Sequence, residues 1–196
     1  MSIDQSALDR FVFSIRSPVL AVTTHYEGGD NGLIILSGRA SSVIPDAMRM
    51  SVMISKPNLS HDLIARSGVF AVHLLACDPA DALACSAEII RTLGGHSGHD
   101  GDKMAALAIK RGVTGAPILC DALSVVECRV VKSLDCDETT FFLGDVVSAE
   151  KLAKGAPLDV ARAWAELGEE WTASYERRHN DGLIAQARLA RGLVSG

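Results

Sequence analysis

The chain is poor in aromatic residues and has no long apolar run. Phe, Trp and Tyr make up only 5% of its 196 residues, and no basic stripe interleaved with aromatics appears. That argues against nucleic acid as a partner. No apolar stretch approaches the ~18 residues needed to span a bilayer. The opening MSIDQSALDR lacks the basic start and apolar core of a secretion signal. Cysteine is sparse and unpaired in pattern: Cys77, Cys85, Cys120, Cys128 and Cys136 include no CxxC spacing, and the count is odd. They read as free thiols of a reducing compartment, with Cys128 in an alternating apolar run as a buried one. The GxGxxG, Walker, HExxH and GxSxG patterns are missing too. A cytoplasmic, soluble chain with no nucleic-acid or membrane partner is the expectation.

What the chain has is enough apolar residue to build a core: 48% hydrophobic and 22% charged, at a formal net charge of -5. A length of 196 residues fits one domain with a short appendage. Leu8, Phe11, Val12 and Ile15 fall on one helical stripe within 4–16, which Pro18 ends. Strands are expected at Val19–Thr24 and from Leu33 to about Ser37, with Glu27–Gly32 as the turn between them and Asn31 suited to positive φ. Residues 48–55 alternate, with Met48, Met50, Val52 and Ile54 on one face. Ser60 is a candidate cap for a helix over His61–Arg66 that Gly68 ends. A strand through Phe70, Val72 and Leu74 follows. Asp78 reads as an N-cap with Pro79 as the first helical residue, and Leu83, Ala87 and Ile90 face the core. Residues 123–132 and 139–152 form an expected hairpin across Leu134–Glu138. After Pro157 the sequence turns helical over 159–167 and 169–193, with a break at Asn180-Asp181-Gly182. Many strands with few helices between them favour an antiparallel barrel over a parallel sheet.

Two segments carry candidate chemistry. Ser55-Lys56-Pro57-Asn58-Leu59-Ser60-His61 joins a strand end to a helix start, where unpaired N–H groups and the dipole attract anions. Lys56 adds charge, and Ser55, Asn58 and Ser60 add donors, a set suited to a phosphate monoester. Ser37-Gly38-Arg39-Ala40-Ser41-Ser42-Val43 is a run of small residues that lets a flat ring approach the backbone. His96-Ser97-Gly98-His99 with Asp100 and Asp102 has the residue types of a metal site, but a glycine-rich loop fixes no coordination geometry. A mobile loop without metal is expected over 94–102.

Several pieces, in order, resemble the flavin reductase-like family with its FMN-binding split barrel. They are Ser17-Pro18-Val19 through Thr24, Asn31-Gly32-Leu33, Ser60-His61-Asp62-Leu63-Ile64, and Ser67-Gly68-Val69-Phe70 through Leu75. Further on come Asp102-Lys103-Met104, Thr114-Gly115-Ala116-Pro117-Ile118-Leu119 with Val126-Glu127-Cys128, and Phe141-Phe142-Leu143-Gly144-Asp145-Val146-Val147. The resemblance spans about 15–152. It implies an α+β, mainly β fold: a split antiparallel barrel of six or seven strands over residues 1–155, with a helical extension over 156–196. It implies that Ser37, Ser41, Ser42 and Val43 line the ring and ribityl chain of a flavin. Ser55, Lys56, Asn58, Ser60 and His61 would then surround its phosphate. FMN is the implied cofactor, FAD its alternative, and NAD(P)H the co-substrate. Hydride would pass from nicotinamide to flavin N5, with no side chain needed as acid or base. A homodimer is implied, and a partner monooxygenase as the recipient of reduced flavin. The sequence departs from the family pattern at Pro45-Asp46-Ala47-Met48, in its helical tail, and at Cys136-Asp137-Glu138, where the family has a basic residue. That acidic pair favours an alternative, a non-catalytic flavin-binding or electron-carrier protein. Haem held by His25, His61 or His73 is a third reading.

Overall fold

The computed structural model describes residues 3–15 and 18–193. Arg16 and Ser17, at the end of the expected first helix and the start of the first family motif, lie outside them. Helix α1 (Gln5–Ser14) opens the chain. Strands β1 (Leu20–Tyr26) and β2 (Gly29–Ile35) then form a hairpin in which Tyr26 pairs with Gly29. Only Glu27 and Gly28 turn, at φ 48 and 82, the left-handed pair of a two-residue hairpin loop. The expected turn was longer. Asn31 lies instead inside β2, 3% exposed, because its side-chain amide donates to Ser60 Oγ at 3.0 Å.

Strands β3 (Arg39–Ala40) and β4 (Arg49–Ser55) lead to helix α2 (Leu59–Ser67), closed by Gly68 at φ 68. Asn58 holds the N-cap position, not the expected Ser60, which is fully buried inside the helix and engaged by Asn31. Strand β5 (Val69–Leu74) and helix α3 (Ala80–Gly95) follow. The cap residue of α3 is Pro79, one place later than expected. The Asp78 carboxylate is turned to the Ala156 N–H at 2.5 Å, pinning the later chain. Short strands β6 (Ile109–Arg111) and β7 (Pro117–Leu119) make a separate ribbon. The long pair β8 (Ser124–Cys136) and β9 (Thr139–Lys151) completes the main sheet. Its tip turns at Asp137, φ 63, and its ladder shifts register at two places, bends that help the sheet curl.

The seven strands run β2-β1-β5-β8-β9-β4-β3, and every pairing is antiparallel. This curled sheet with peripheral helices is the mainly β split barrel expected from the sequence. The side-chain period of two explains its two cores. Leu20 and Val22 point inward with Val52, Ile54, Phe70, Val72, Cys128 and Phe142, under Ile64 of α2. Val19 and Ala21 point outward, where Leu83, Ala87 and Ile90 of α3 cover them. β1 is therefore buried on both faces, which is why it reads as a continuous apolar run. Gly144 is needed for close approach: a Cβ there would stand 2.9 Å from both Cys128 and the Phe70 ring.

The chain after Gly155 starts in the outer core. Leu158 is fully buried and bonds through its backbone to Leu75 and Val19. Helix α4 (Val160–Leu167), capped by Asp159, buries Val160, Ala163 and Leu167 beside α3. Helices α5 (Glu169–Arg178) and α6 (Ala185–Ala190) follow, joined by a π turn over His179–Ile184. The expected break at Asn180–Gly182 is that turn, a widening of the helix rather than an end. No helix among the described residues is long and apolar enough to cross a membrane.

Candidate functional site

A cavity of about 770 Å³ opens where β2, the end of β4, the start of α2 and the loop after α3 converge. The local sequence explains each wall. β2 supplies Asn31 and the backbone run to Ser37. The β4–α2 loop supplies Ser55, Pro57, Asn58 and Ser60, and the end of α3 with the loop after it supplies Leu93 to Gly98. Gly98 fits against the Asn31 side chain where a Cβ would collide. His99 Nε2 meets the Pro57 carbonyl at 3.2 Å, so the 96–102 loop bridges to the β4–α2 loop. Asn58 donates to the Ser55 carbonyl at 3.2 Å, folding that loop back on itself.

The residues singled out from sequence divide between cavity and surroundings. Ser37, Ser55, Asn58 and Ser60 line the cavity. Ser37 donates to the Met53 carbonyl at 3.1 Å. Lys56 lines a smaller adjoining cavity of about 180 Å³ at the β8–β9 tip. Its ammonium grips the Asp135 carboxylate at 2.7 and 2.8 Å. His61 is built into the barrel wall, with Nε2 at 2.8 Å from Thr140 Oγ1 and its ring tilted on Phe142. Ser41 and Ser51 share a hydroxyl bond at 2.7 Å, Ser42 accepts from the Ile44 N–H, and Val43 is 97% exposed. These three sit around β3 and the loop after it, apart from the residues lining the cavity.

Sequence reasoning missed part of the lining. Residue type alone puts Asn31 in a turn, while the family resemblance of Asn31-Gly32-Leu33 puts it at a strand start, and it lies in β2. Lys103 stood in a motif without a role, yet its ammonium, 9% exposed, donates to the Leu93 and His96 carbonyls at 3.0 and 3.2 Å. Burial pushes its pKa down to about 8, while the carbonyl ends of α3 give the cation its partners. Trp164, Tyr175, Glu176, Arg178 and Leu183 reach the cavity from the tail. No local pattern marks them, because their place follows from how α4 and α5 pack.

Of the three histidines weighed for haem, His61 and His73 have both ring nitrogens engaged. His73 is fully buried, receives the Leu119 N–H on Nε2 at 3.1 Å and faces the Ala21 carbonyl through Nδ1 at 3.3 Å. Burial pushes it down to about 4, so it stands neutral with both nitrogens used. His25 Nδ1 meets Asp30 at 2.7 Å, and Arg111 grips the same carboxylate twice. Burial alone would raise the Asp30 pKa; Arg111 and His25 outweigh it and hold it low.

The family model described as "Flavin reductase like domain" matches residues 12–163. The chain belongs to the flavin reductase like family. It is 30% identical over 115 residues to the ferric-chelate reductase (NAD(P)H) of Archaeoglobus fulgidus, a match covering 58% of this chain and 64% of that protein. It is 29% identical over 120 residues to the high molecular weight rubredoxin of Moorella thermoacetica, covering 61% of this chain and 50% of the relative. The matched region thus spans between half and two thirds of these curated relatives. Among solved structures, nitrilotriacetate monooxygenase component B from Mycobacterium thermoresistibile superposes with a TM-score of 0.65 at 23% identity, covering 79% of this chain and 80% of that one. Flavoredoxin from Methanosarcina acetivorans gives 0.63 at 22%, over 83% and 82%. At these identities the likeness is one of fold. In this family member the cavity lies at the barrel's edge, walled on one side by the helical tail.

Proposed function

We propose that this protein is an NAD(P)H-dependent flavin reductase that holds FMN, or alternatively FAD, in the cavity between β2, α2 and α3. The observation that carries the reading is the cavity's make-up. Its volume suits a large planar ligand, and hydroxyl and amide groups of Ser55, Asn58 and Ser60 gather at one end, beside the start of α2. A helix start with such donors favours a phosphate. Leu36, Ser37 and Met53 offer a mixed wall to a ring system. These residues fit a flavin nucleotide.

When bound, the flavin supplies an acceptor for the hydride of nicotinamide C4 at its N5. The chain's own part is to orient and to exclude water. Ser55 and Asn58 hold the polar end, backed by the buried Ser60 hydroxyl that Asn31 fixes. Trp164 and Tyr175 add aromatic surface to the lining. Support for the nicotinamide comes from the name of the Archaeoglobus relative. A monooxygenase as recipient of reduced flavin is supported by the name of the Mycobacterium neighbour. A homodimer is supported by the exposed apolar stripe of α1.

A second reading, a flavin-binding electron carrier, rests on Asp137 and Glu138, which bring acidic groups to the smaller cavity. Steady-state oxidation of NADH and NADPH with and without added FMN separates the two. The reductase reading expects oxidation that depends on flavin. Tight FMN binding with no oxidation of either nicotinamide supports the carrier instead.

A further inference from the structure

The barrel alone does not close the cavity. Beyond Gly168 the chain runs as α5, the π turn and α6 in one helical path. Its near end is fixed by aromatic packing. The Trp171 ring stacks on Tyr175 at 5.2 Å, Trp164 meets both edge-on, and Gly94 at the end of α3 leaves room for Tyr175. Its far end reaches the β8–β9 tip, where Arg191 faces Glu138 at 3.9 Å. Between them Leu183 lies over Ser55 and Pro57, lining both cavities. At ~1.5 Å per residue, Tyr175 to Leu183 covers about 12 Å. The path therefore crosses the cavity mouth from α3 to the β4–α2 loop.

Arg178 lies in the middle of that crossing, lines the cavity, and is followed at once by the π turn, a feature that recurs at functional sites. Its described hydrogen bond is one long contact to Ser174 Oγ at 3.3 Å, so most of its five N–H donors remain for a ligand. The other lysine and arginine side chains near the cavity are spent. Lys103 is held by the two carbonyls of Leu93 and His96, and Lys56 is held by Asp135 outside it. Glu176 also lines the cavity, but at ~100° per residue it stands roughly 160° from Arg178 around the helix, with Tyr175 between them. A guanidinium presented over a cavity that also carries the Ser55 hydroxyl and the Asn58 amide matches a phosphate monoester.

We propose that α5–α6 is a strap over the nucleotide cavity and that Arg178 on it is the specificity residue for a ligand's phosphate monoester. This rests on the flavin reductase reading. Two ligands carry that group, FMN at its ribityl end and NADPH at its ribose, and each has a partner without it, riboflavin and NADH. The test uses the full chain, with R178A, R178K and K56A. Flavin Kd values are read by fluorescence quenching and KM values from nicotinamide oxidation. R178A is expected to raise either Kd for FMN or KM for NADPH by about tenfold or more, leaving riboflavin or NADH within twofold. R178K should recover part of the loss, and K56A should leave both ratios unchanged. Melting temperature should not move in R178A, since Arg178 is exposed and the aromatic anchor is intact. The pair that changes names the source of the phosphate. Equal losses for both members of each pair, no change in either ratio, or a discrimination lost in K56A and kept in R178A would overturn the assignment. A wild-type chain that binds no flavin would bring down the reductase reading itself, visible before any variant is made.

Discussion

His73 shows how a buried group can serve the fold without serving the site. Its neutral ring ties the backbone of β1 to that of β7 through Ala21 and Leu119. Burial holds it at about 4, against 6.5 for a free imidazole. Between those values the unfolded chain binds a proton that the folded chain refuses, so stability falls as pH drops through that window. The loss at full protonation is on the order of 3 kcal/mol. Urea midpoints at pH 7.5 and pH 4.5 should show this fall in the wild type and a smaller one in His73→Gln. Lys103 works the opposite end of the scale. Removing its ammonium in Lys103→Met frees two carbonyls at the end of α3 and should cost about 1–2 kcal/mol. Hydrogen exchange of 96–102 should then speed up. Glu127 is buried and accepts from the Val113 N–H, the Thr114 N–H and the Thr114 hydroxyl at 2.7–3.0 Å. Burial would raise its pKa, but those bonds outweigh it and hold it low.

At the scale of elements, the tail divides into two unlike parts. Residues 158–167 belong to the outer core through Leu158, Val160, Ala163 and Leu167. α5 and α6 bury no side chain completely. A chain cut after Gly155 should therefore fail to give a cooperative urea transition, since several core side chains of about 2–5 kcal/mol each are lost with it. A cut after Gly168 should keep that transition. Retained cooperativity in the shorter chain would show that α4 is peripheral. The division was only half legible in the sequence. Strong alternation and apolar runs revealed β1, β4, β5 and the β8–β9 pair, because the barrel buries one or both faces of each. Short β3, β6 and β7 carry too few residues for a period to emerge. Asn31 looked like a turn residue because its type favours turns, and only the distant Ser60 explains it within a strand. Ser55, Asn58 and Ser60 could be singled out from residue type alone, and they line the cavity. Arg178 could not, since helical composition does not say which barrel surface a helix will cross.

For the whole molecule, α1 remains unaccounted for by a single chain. Leu8, Phe11, Val12 and Ile15 are 41–63% exposed along one stripe. Such a stripe calls for a partner surface, and a second copy is the proposed one. Leu8→Asp with Phe11→Asp should convert the proposed dimer to a monomer in sedimentation velocity while leaving near-ultraviolet circular dichroism intact. A wild type already monomeric at high concentration would remove the homodimer from the proposal. The flavin chemistry proposed here rests on the family and on the cavity together, and one measurement addresses it most directly. Protein loaded with FMN is titrated anaerobically with NADH and with NADPH while the flavin absorbance is followed. The expected result is stoichiometric bleaching by at least one nicotinamide, at a rate well above that of free FMN. Flavin that stays oxidised with both nicotinamides, and bleaches only with dithionite, would contradict the reductase assignment.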